Sequence, residues 1–337
     1  MTELHELIRS LPKAELHLHI EGCLEPELMF QLASRNGIEL KYDTIESVRK
    51  AYNFDSLQDF LDIYFAATSV LVQEQDFYDL TWSYLLKARE NNIVHTEVMF
   101  DPQAHTSRGV PFSAVIGGIY RALVEGYEKF GISFKLILSF LRHLSPEDGF
   151  KTLDEAIPFQ GWITAVGLDS SEKNFPPELF GNLFESALEM GFLTVVHAGE
   201  EGPPEYIWGA LDLLKASRID HGNSALQDPD LVDVLGIYEI PLTSCPLSNL
   251  KLKVIRDMSE HPLKEMLERG IKVNVNSDDP AYFGGYLNDN FIAVADALQL
   301  SKDEIVQLVK NSFEASFISD GEKRAFLKRL EESAGIE

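Results

Sequence analysis

The sequence predicts an α/β protein built as a (β/α)8 barrel, with a helical insert after the first strand. Eight apolar segments that read as strands are mostly separated by segments of helical length, and this alternation is typical of parallel sheets. The chain has 337 residues, 45% of them apolar, which suffices for a barrel of about 250 residues or more. The alternative is an open doubly wound sheet, but no GxGxxG motif follows any predicted strand.

The first half of the chain contains four of the predicted strands, at residues 14–20, 93–100, 133–140 and 163–169. The connection at about residues 21–92 is too long for one helix. Residues 55–71 and 77–90 have the pattern of two helices within it. We expect these residues to form a helical insert beside the barrel mouth, so that residues 1–337 make a single domain.

The second half repeats a strand–helix unit, with strands predicted at residues 192–197, 218–222, 239–245 and 271–276. A helix is expected after Pro203 and Pro204, because apolar residues then recur at a spacing of three to four. Asp228 followed by Pro229 predicts the N-cap and the first residue of another helix.

Charge and composition narrow the classes of partner. The net charge of −25 argues against nucleic acid, which requires a basic surface, and points to a small-molecule substrate. The N-terminal sequence lacks the apolar core of a signal peptide, and no apolar stretch approaches the roughly 20 residues that span a bilayer. The only two cysteines, Cys23 and Cys245, are expected to be free thiols. We therefore expect a cytoplasmic protein that binds neither nucleic acid nor membranes; the oligomeric state is left open.

The candidate active-site residues lie at the carboxyl ends of predicted strands, which form one mouth in such a barrel. They are His17 and His19 on the first strand, His197 on the fifth, His221 on the sixth, and Asp278 and Asp279 on the eighth. Because a strand has a period of two residues, His17 and His19 both point into the barrel. Imidazoles converging with a carboxylate suit a divalent metal such as zinc. A pair of histidines bonded to the backbone is the simpler alternative for the HxH motif alone.

Glu200 completes the predicted site, in which His221, Asp278 and Asp279 have several possible roles. Glu200 follows His197 by three residues and could carry protons for a metal-bound water, although a solvated carboxylate at a helix start has the same pattern. His221 could be a fourth ligand, a base, a core histidine or the group that orients the water. Asp278 and Asp279 are neighbours at a strand end, so they point to different sides and can have separate roles.

These residues belong to motifs that resemble the adenosine/adenine deaminase family of metal-dependent amidohydrolases. The similar segments are PKAELHLHIEG, GLDSSE, VVHAGEEGPPE, RIDHGN, TSCPLSN and VNSDDPAYFGG, in family order from residue 12 to about residue 290. The resemblance implies a metal ion, zinc with iron as the alternative, held by His17, His19, His197 and Asp278. It also implies that Glu200 exchanges a proton with purine N1, His221 orients the attacking water and Asp279 hydrogen-bonds to N7.

Two departures bear on the substrate. The first motif of adenosine deaminases is similar to HxHLDG, in which the Asp helps hold the ribose. This chain has Glu21 at the position of that Asp. Glu172 stands where those enzymes have a glycine whose backbone reaches purine N3. We expect Glu172 to accept a hydrogen bond from N9–H of a free base. The resulting hypothesis is an adenine deaminase that converts adenine and water to hypoxanthine and ammonia.

Several alternatives stay open at this point. The substrate could be adenosine or an N6-substituted adenine, because Met99 and Phe100 at the end of the second strand could line a larger pocket. A purine-binding protein without activity would need neither Glu200 nor His221. A metal-dependent ester or amide hydrolase would share the HxH motif and Asp278, but often bridges two metals with a strand-four Lys or Glu.

Overall fold

The computed structural model describes residues 2–54 and 56–335, and its centre is a sheet of eight parallel strands in sequential order. The strands are β1 (Lys13–His19), β2 (Ile93–Phe100), β3 (Ser133–Leu141), β4 (Ala165–Asp169), β5 (Leu193–Ala198), β6 (Arg218–His221), β7 (Leu242–Ser244) and β8 (Val273–Val275). The predicted (β/α)8 fold is confirmed. β2 has its predicted bounds, and the other strands differ by a few residues at their ends.

The sheet closes where β8 meets β1. The backbone N–H of His19 donates to the carbonyl of Asp278, and the N–H of Asp278 donates to the carbonyl of His17, both at 3.1 Å. The side-chain oxygen of Asn276 accepts from the N–H groups of Leu16 and His17 at 2.8 and 3.2 Å. The barrel therefore closes at the strand ends that carry three of the predicted metal ligands.

Helices surround the barrel. They are α1 (Glu3–Ser10), α2 (Pro26–Asn36), α3 (Ile45–Ala51), α4 (Leu57–Ala67), α5 (Glu74–Glu90), α6 (Gln103–Thr106), α7 (Phe112–Phe130), α8 (Pro146–Ala156), α9 (Gly181–Glu189), α10 (Pro204–Asp212), α11 (Pro229–Ile237), α12 (Pro246–Lys251), α13 (Leu263–Glu268), α14 (Pro280–Phe283), α15 (Leu287–Leu298), α16 (Lys302–Ala315) and α17 (Asp320–Ala334). Short 3-10 helices lie at Glu21–Cys23, Thr68–Val70, Ile157–Trp162, Pro177–Phe180, Ala225–Gln227 and Met258–Glu260. None of the helices in the described ranges combines the length and apolar character needed to cross a bilayer.

The segment between β1 and β2 contains four α-helices, α2 to α5, where the sequence predicted two. The helix predicted at 55–71 begins as α4 and ends in a 3-10 turn; Asp55 lies outside the described residues. The helix predicted at 77–90 starts earlier, as α5. The sequence pattern missed α2 and α3, although Pro26 at the first helical position and a capping box at Thr44 mark their starts.

Two apolar layers flank the strands. Leu16 and Leu18 of β1 join the large core between the sheet and the helices. Inside the barrel, a separate cluster contains Met99, Ile137, Ala165 and Val195, one residue from each of β2 to β5. The alternation along β1 thus directs leucines outward and histidines into the mouth.

Candidate active site

The structure brings the four predicted metal ligands together at the barrel mouth. Nε2 of His17 lies 3.3 Å from Oδ1 of Asp278, and Nε2 of His19 lies 3.6 Å from the same oxygen. Nε2 of His19 is also 3.2 Å from Nε2 of His197. Three imidazoles and one carboxylate thus lie close together, and this donor set fits a zinc ion.

The outer nitrogens of these imidazoles face polar partners. Nδ1 of His17 lies 2.9 Å from the hydroxyl of Thr243, which itself donates to Asp220 at 2.7 Å. Nδ1 of His197 lies 3.5 Å from the other oxygen of Asp220, and Nδ1 of His19 lies 3.5 Å from Asp169. At His17, the Thr243 hydroxyl can accept the Nδ1 proton and leave Nε2 free to bind a metal, whereas Nδ1 of His197 has no hydrogen-bond partner among the described residues.

Burial and nearby charges shift the pKa values of the site histidines in opposite directions. Burial alone would lower the pKa of His17, but the carboxylates of Asp278 and Asp220 raise it. Burial and the nearby His17 hold the pKa of His197 well below its usual range. The same causes lower the pKa of His221 to about 3. His197 and His221 are therefore neutral imidazoles at pH 7.

Two site residues have strained backbone conformations. Asp278 and His221 have φ angles of 63° and 64°, in the left-handed region that is uncommon for residues other than glycine. His221 is the last residue of β6, and Asp278 lies three residues after the end of β8. The strained turns aim the carboxylate and the imidazole into the mouth.

Asp279 occupies a different environment from its neighbour Asp278. It lines the pocket and is 4% exposed. A Cβ added to Gly22 would overlap its carboxylate, so the glycine of the first motif makes room for this side chain. Burial and the charge of Asp278 raise the pKa of Asp279 well above its usual range. Burial would also raise the pKa of Asp278, but His17 lowers it far below.

Glu200 and His221 lie side by side over the ligands. Oε2 of Glu200 is 3.7 Å from Nε2 of His221, and that nitrogen is 3.9 Å from Oδ2 of Asp278. His221 shares a set of potential ligand atoms, all within 4.8 Å of one another, with His17, His197 and Asp278. Burial, Asp278 and Glu172 raise the pKa of Glu200 well above its usual range. This shift favours the protonated form of Glu200, which can donate a hydrogen bond to a substrate.

Glu172 is the predicted site residue that the structure does not bring to the pocket. Its side chain is fully buried, and its two oxygens accept backbone N–H groups from Gly199, Glu201 and Gly202. It is absent from the residues that line the site cavity. The predicted contact with N9–H does not fit this arrangement, because the carboxylate is directed into the loop after β5.

The site cavity is also lined by residues that the sequence reasoning missed. Asp101 and Asp169 line it, and the hydroxyl of Tyr64 donates to Asp101 at 3.1 Å. Burial and then Glu21 raise the pKa of Asp101, and burial and then Asp101 raise that of Asp169. Because these acids follow β2 and end β4, the strand-end criterion used for the histidines could have found them.

An apolar wall covers one side of the cavity. It is formed by Leu57, Phe60, Leu61, Tyr64 and Phe65 of α4, with Leu252 and Phe283. The sequence pattern of α4 indicated an amphipathic helix but not the surface that its apolar face would cover. The helical insert therefore contributes directly to the cavity.

A closed parallel barrel with imidazoles and carboxylates converging at its carboxyl-terminal mouth defines a metal-dependent hydrolase of the amidohydrolase type. Residues 12–333 match the profile of the family described as adenosine deaminase. The chain belongs to the adenosine deaminase family, and the resemblance in its motifs is confirmed.

Individual relatives extend over nearly the whole chain. An adenine deaminase of Acinetobacter baylyi is 58% identical over 325 residues, which cover 96% of this chain and 98% of the relative. The crystal structure of an adenine deaminase from Arthrobacter aurescens has 48% sequence identity and a TM-score of 0.94, covering 96% of this chain and 98% of that one. A zinc-bound amidohydrolase from Burkholderia ambifaria shares the fold at 24% identity, with a TM-score of 0.91 and coverage of 99% and 95%.

Proposed function

We propose that this protein deaminates adenine by hydrolysis, giving hypoxanthine and ammonia. The observation that carries this conclusion is the 58% identity to an adenine deaminase over 96% of the chain. The crystal structure of a second adenine deaminase, at 48% identity, supports it. The site supplies the groups that such a reaction needs.

Glu21 supports a free base over a nucleoside. Glu21 occupies the position in the first motif at which adenosine deaminases are expected, from the family resemblance, to have an Asp that helps hold the ribose. Oε1 of Glu21 lies 2.9 Å from Nε2 of His105 and accepts the backbone N–H of Asp101 at 3.2 Å. Glu21 is fully buried and does not line the cavity. Its carboxylate is thus engaged with the segment after β2 and is unavailable to a sugar.

The alternative of an N6-substituted adenine depended on Met99 and Phe100. Met99 packs inside the barrel with Ile137, and Phe100 packs against Phe112 with ring centroids 6.2 Å apart. Neither residue lines the site cavity. These positions therefore give no support to a larger N6 pocket.

His17, His19, His197 and Asp278 would hold the metal, for which zinc is proposed. An amidohydrolase that shares this fold binds zinc, and a set of imidazole and carboxylate donors fits that ion. When bound, the ion would act as a Lewis acid that lowers the pKa of a coordinated water. The lowered pKa values of His197 and Asp278 favour the protonation states that metal binding requires, whereas the raised pKa of His17 opposes them.

Glu200, His221 and Asp279 would act on the purine and the water. The protonated carboxyl of Glu200 donates to N1 as water adds to C6, and so offsets the charge that develops on the ring. Nε2 of His221, beside both Glu200 and Asp278, orients the water. The raised pKa of Asp279 lets it donate a hydrogen bond to N7. The 6-amino group then leaves as ammonia.

The proposed location is the cytoplasm. The two cysteines, Cys23 and Cys245, are buried free thiols, which supports a reducing compartment.

Amine release from three substrates tests this proposal. The purified zinc-loaded protein is incubated with adenine, adenosine or N6-isopentenyladenine, and ammonia or amine is measured by a coupled assay. We expect adenine to be favoured in kcat/KM by about 100-fold or more, because Glu21 lies outside the cavity and the ribose hydroxyls of adenosine would lack that partner. Release from none of the three would reject purine deamination, and faster release from adenosine would reject base specificity.

A further inference from the structure

We propose that Glu172 is a positioning residue that clamps the loop of residues 199–202 and thereby fixes the carboxyl group of Glu200. This inference rests on the proposed function, in which Glu200 is the proton donor. It replaces the expected contact between Glu172 and the substrate with a role one step away from it.

The clamp consists of three short hydrogen bonds. Oε1 of Glu172 accepts from the N–H of Gly199 at 2.7 Å, and Oε2 accepts from those of Glu201 and Gly202 at 2.8 and 2.7 Å. Gly199 and Glu201 flank Glu200 on both sides. The backbone of the proton donor is therefore held from either direction by a single side chain.

The loop is shaped to receive this carboxylate. A Cβ at Gly202 would come within 2.6 Å of Oε1 of Glu172, so a larger residue would displace the clamp. A second buried ion supports the same segment from β3, because Nη1 of Arg142 donates to the carbonyl of His197 at 2.7 Å. Glu172 and Arg142 are both fully buried, and both direct hydrogen bonds to the backbone of residues 197–202.

The energetics favour a role in positioning. A buried carboxylate is costly unless donors satisfy it, and three N–H groups do so. The three bonds connect the backbone of residues 199–202 to the segment after β4. Because a displacement of about 1 Å in a catalytic group can lower a rate about 100-fold, fixing Glu200 has a direct effect on turnover.

The variant Glu172→Gln tests the clamp with little change in volume, since an amide offers the loop a donor in place of one acceptor. We expect kcat for adenine to fall about 10- to 100-fold, with KM within about threefold and the metal content unchanged. The matched control is Glu201→Gln, which removes the same charge from the same loop. The side chain of Glu201 forms an ion pair with Lys173 at 3.0 Å. We expect this control variant to keep the kcat of the unaltered protein.

A double-mutant cycle separates positioning from general stability. If Glu172 acts through Glu200, Glu172→Gln should have little further effect on kcat/KM in a Glu200→Gln background. Full additivity, an unchanged kcat in Glu172→Gln, or a gain of adenosine turnover would each overturn the clamp.

Hydrogen exchange gives a readout that does not depend on the substrate. The amides of Gly199, Glu201 and Gly202 should exchange faster in Glu172→Gln than in the unaltered protein or the control. Unchanged exchange would overturn the clamp even if adenine is the substrate. Failure of the unaltered protein to deaminate adenine would reject the proposed function, and the exchange result would still decide the clamp.

Discussion

Asp278 and Asp279 show how adjacent carboxyl groups can serve two purposes. Asp278 faces His17 and His19, and its ionised form is stabilised there. Asp279 faces the pocket, where burial and its ionised neighbour favour its protonated form. The repulsion expected between them is reduced because only one of the two is charged.

Alanine substitutions at these two positions should therefore differ in the amount of metal that the protein retains. Asp278→Ala removes a carboxylate ligand and should lose both bound metal and turnover. Asp279→Ala should keep its metal and lose about 100-fold or more in kcat/KM, because a buried hydrogen bond to the substrate is lost. Metal per folded chain is measured by atomic absorption. Equal metal content in the two variants would contradict the division of roles.

At the scale of elements, β2 and β6 are tied across the barrel by an ion pair. Nη1 of Arg218 donates to Oε2 of Glu97 at 2.7 Å, and both side chains are fully buried. Glu97 also accepts the backbone N–H of Phe317, and Arg218 donates to the carbonyl of Leu16 at 3.0 Å. The pair thus joins four parts of the fold: β2, β6, β1 and the segment after α16.

Removing this pair should destabilise the protein. Glu97→Gln leaves Arg218 buried without its carboxylate, and we expect a loss of about 3–5 kcal/mol in the free energy of unfolding at pH 7. The control Glu265→Gln breaks an exposed pair with Arg269 at 3.1 Å, which should cost less than about 1 kcal/mol. Urea denaturation measures both, and similar losses would contradict the assignment.

The same pair predicts a dependence of stability on pH. Burial alone would raise the pKa of Glu97, but Arg218 and His95 lower it from the usual 4.5 to about 2. Its contribution is therefore fully present above pH 4.5 and is lost as the pH falls towards 2. The free energy of unfolding should fall across this window, and less steeply in Glu97→Gln. If the free energy of unfolding changed equally with pH in the unaltered protein and in Glu97→Gln, the described titration of Glu97 would be contradicted.

The apolar wall from α4 should govern substrate binding more than chemistry. Leu61→Ala removes part of the wall and should raise KM for adenine by about tenfold with little change in kcat, because apolar contacts bind ground state and transition state alike. The control Ile63→Ala lies on the same helix outside the residues that line the cavity. A lower kcat at unchanged KM would instead give α4 a role in the reaction.

At the scale of the molecule, the barrel and the histidines and acids at its mouth could be predicted because strand ends are visible in a sequence. The HxH spacing, His197 and Asp278 mark those ends directly. Glu172 could not be assigned in this way, because the direction of a side chain after a strand depends on which backbone groups the next loop presents. The wall from α4 was hidden for a related reason, since an apolar helix face does not reveal what it covers.

We propose that the helical insert and the barrel form one domain. The insert provides the cavity wall, and Tyr64 of α4 bonds to Asp101 after β2. An insert that completes the site in this way is expected to fold together with the barrel.

The most direct test of metal-dependent adenine deamination is a zinc titration of the chelated protein. Hypoxanthine formation from adenine is followed by absorbance as Zn²⁺ is added in steps. We predict no turnover in the chelated protein and a rate that rises linearly until one ion is bound per chain, because Asp278 belongs both to the ligand group of His17 and His197 and to a group with His19. Full adenine turnover after metal removal, or a rate that saturates only at two ions per chain, would contradict it.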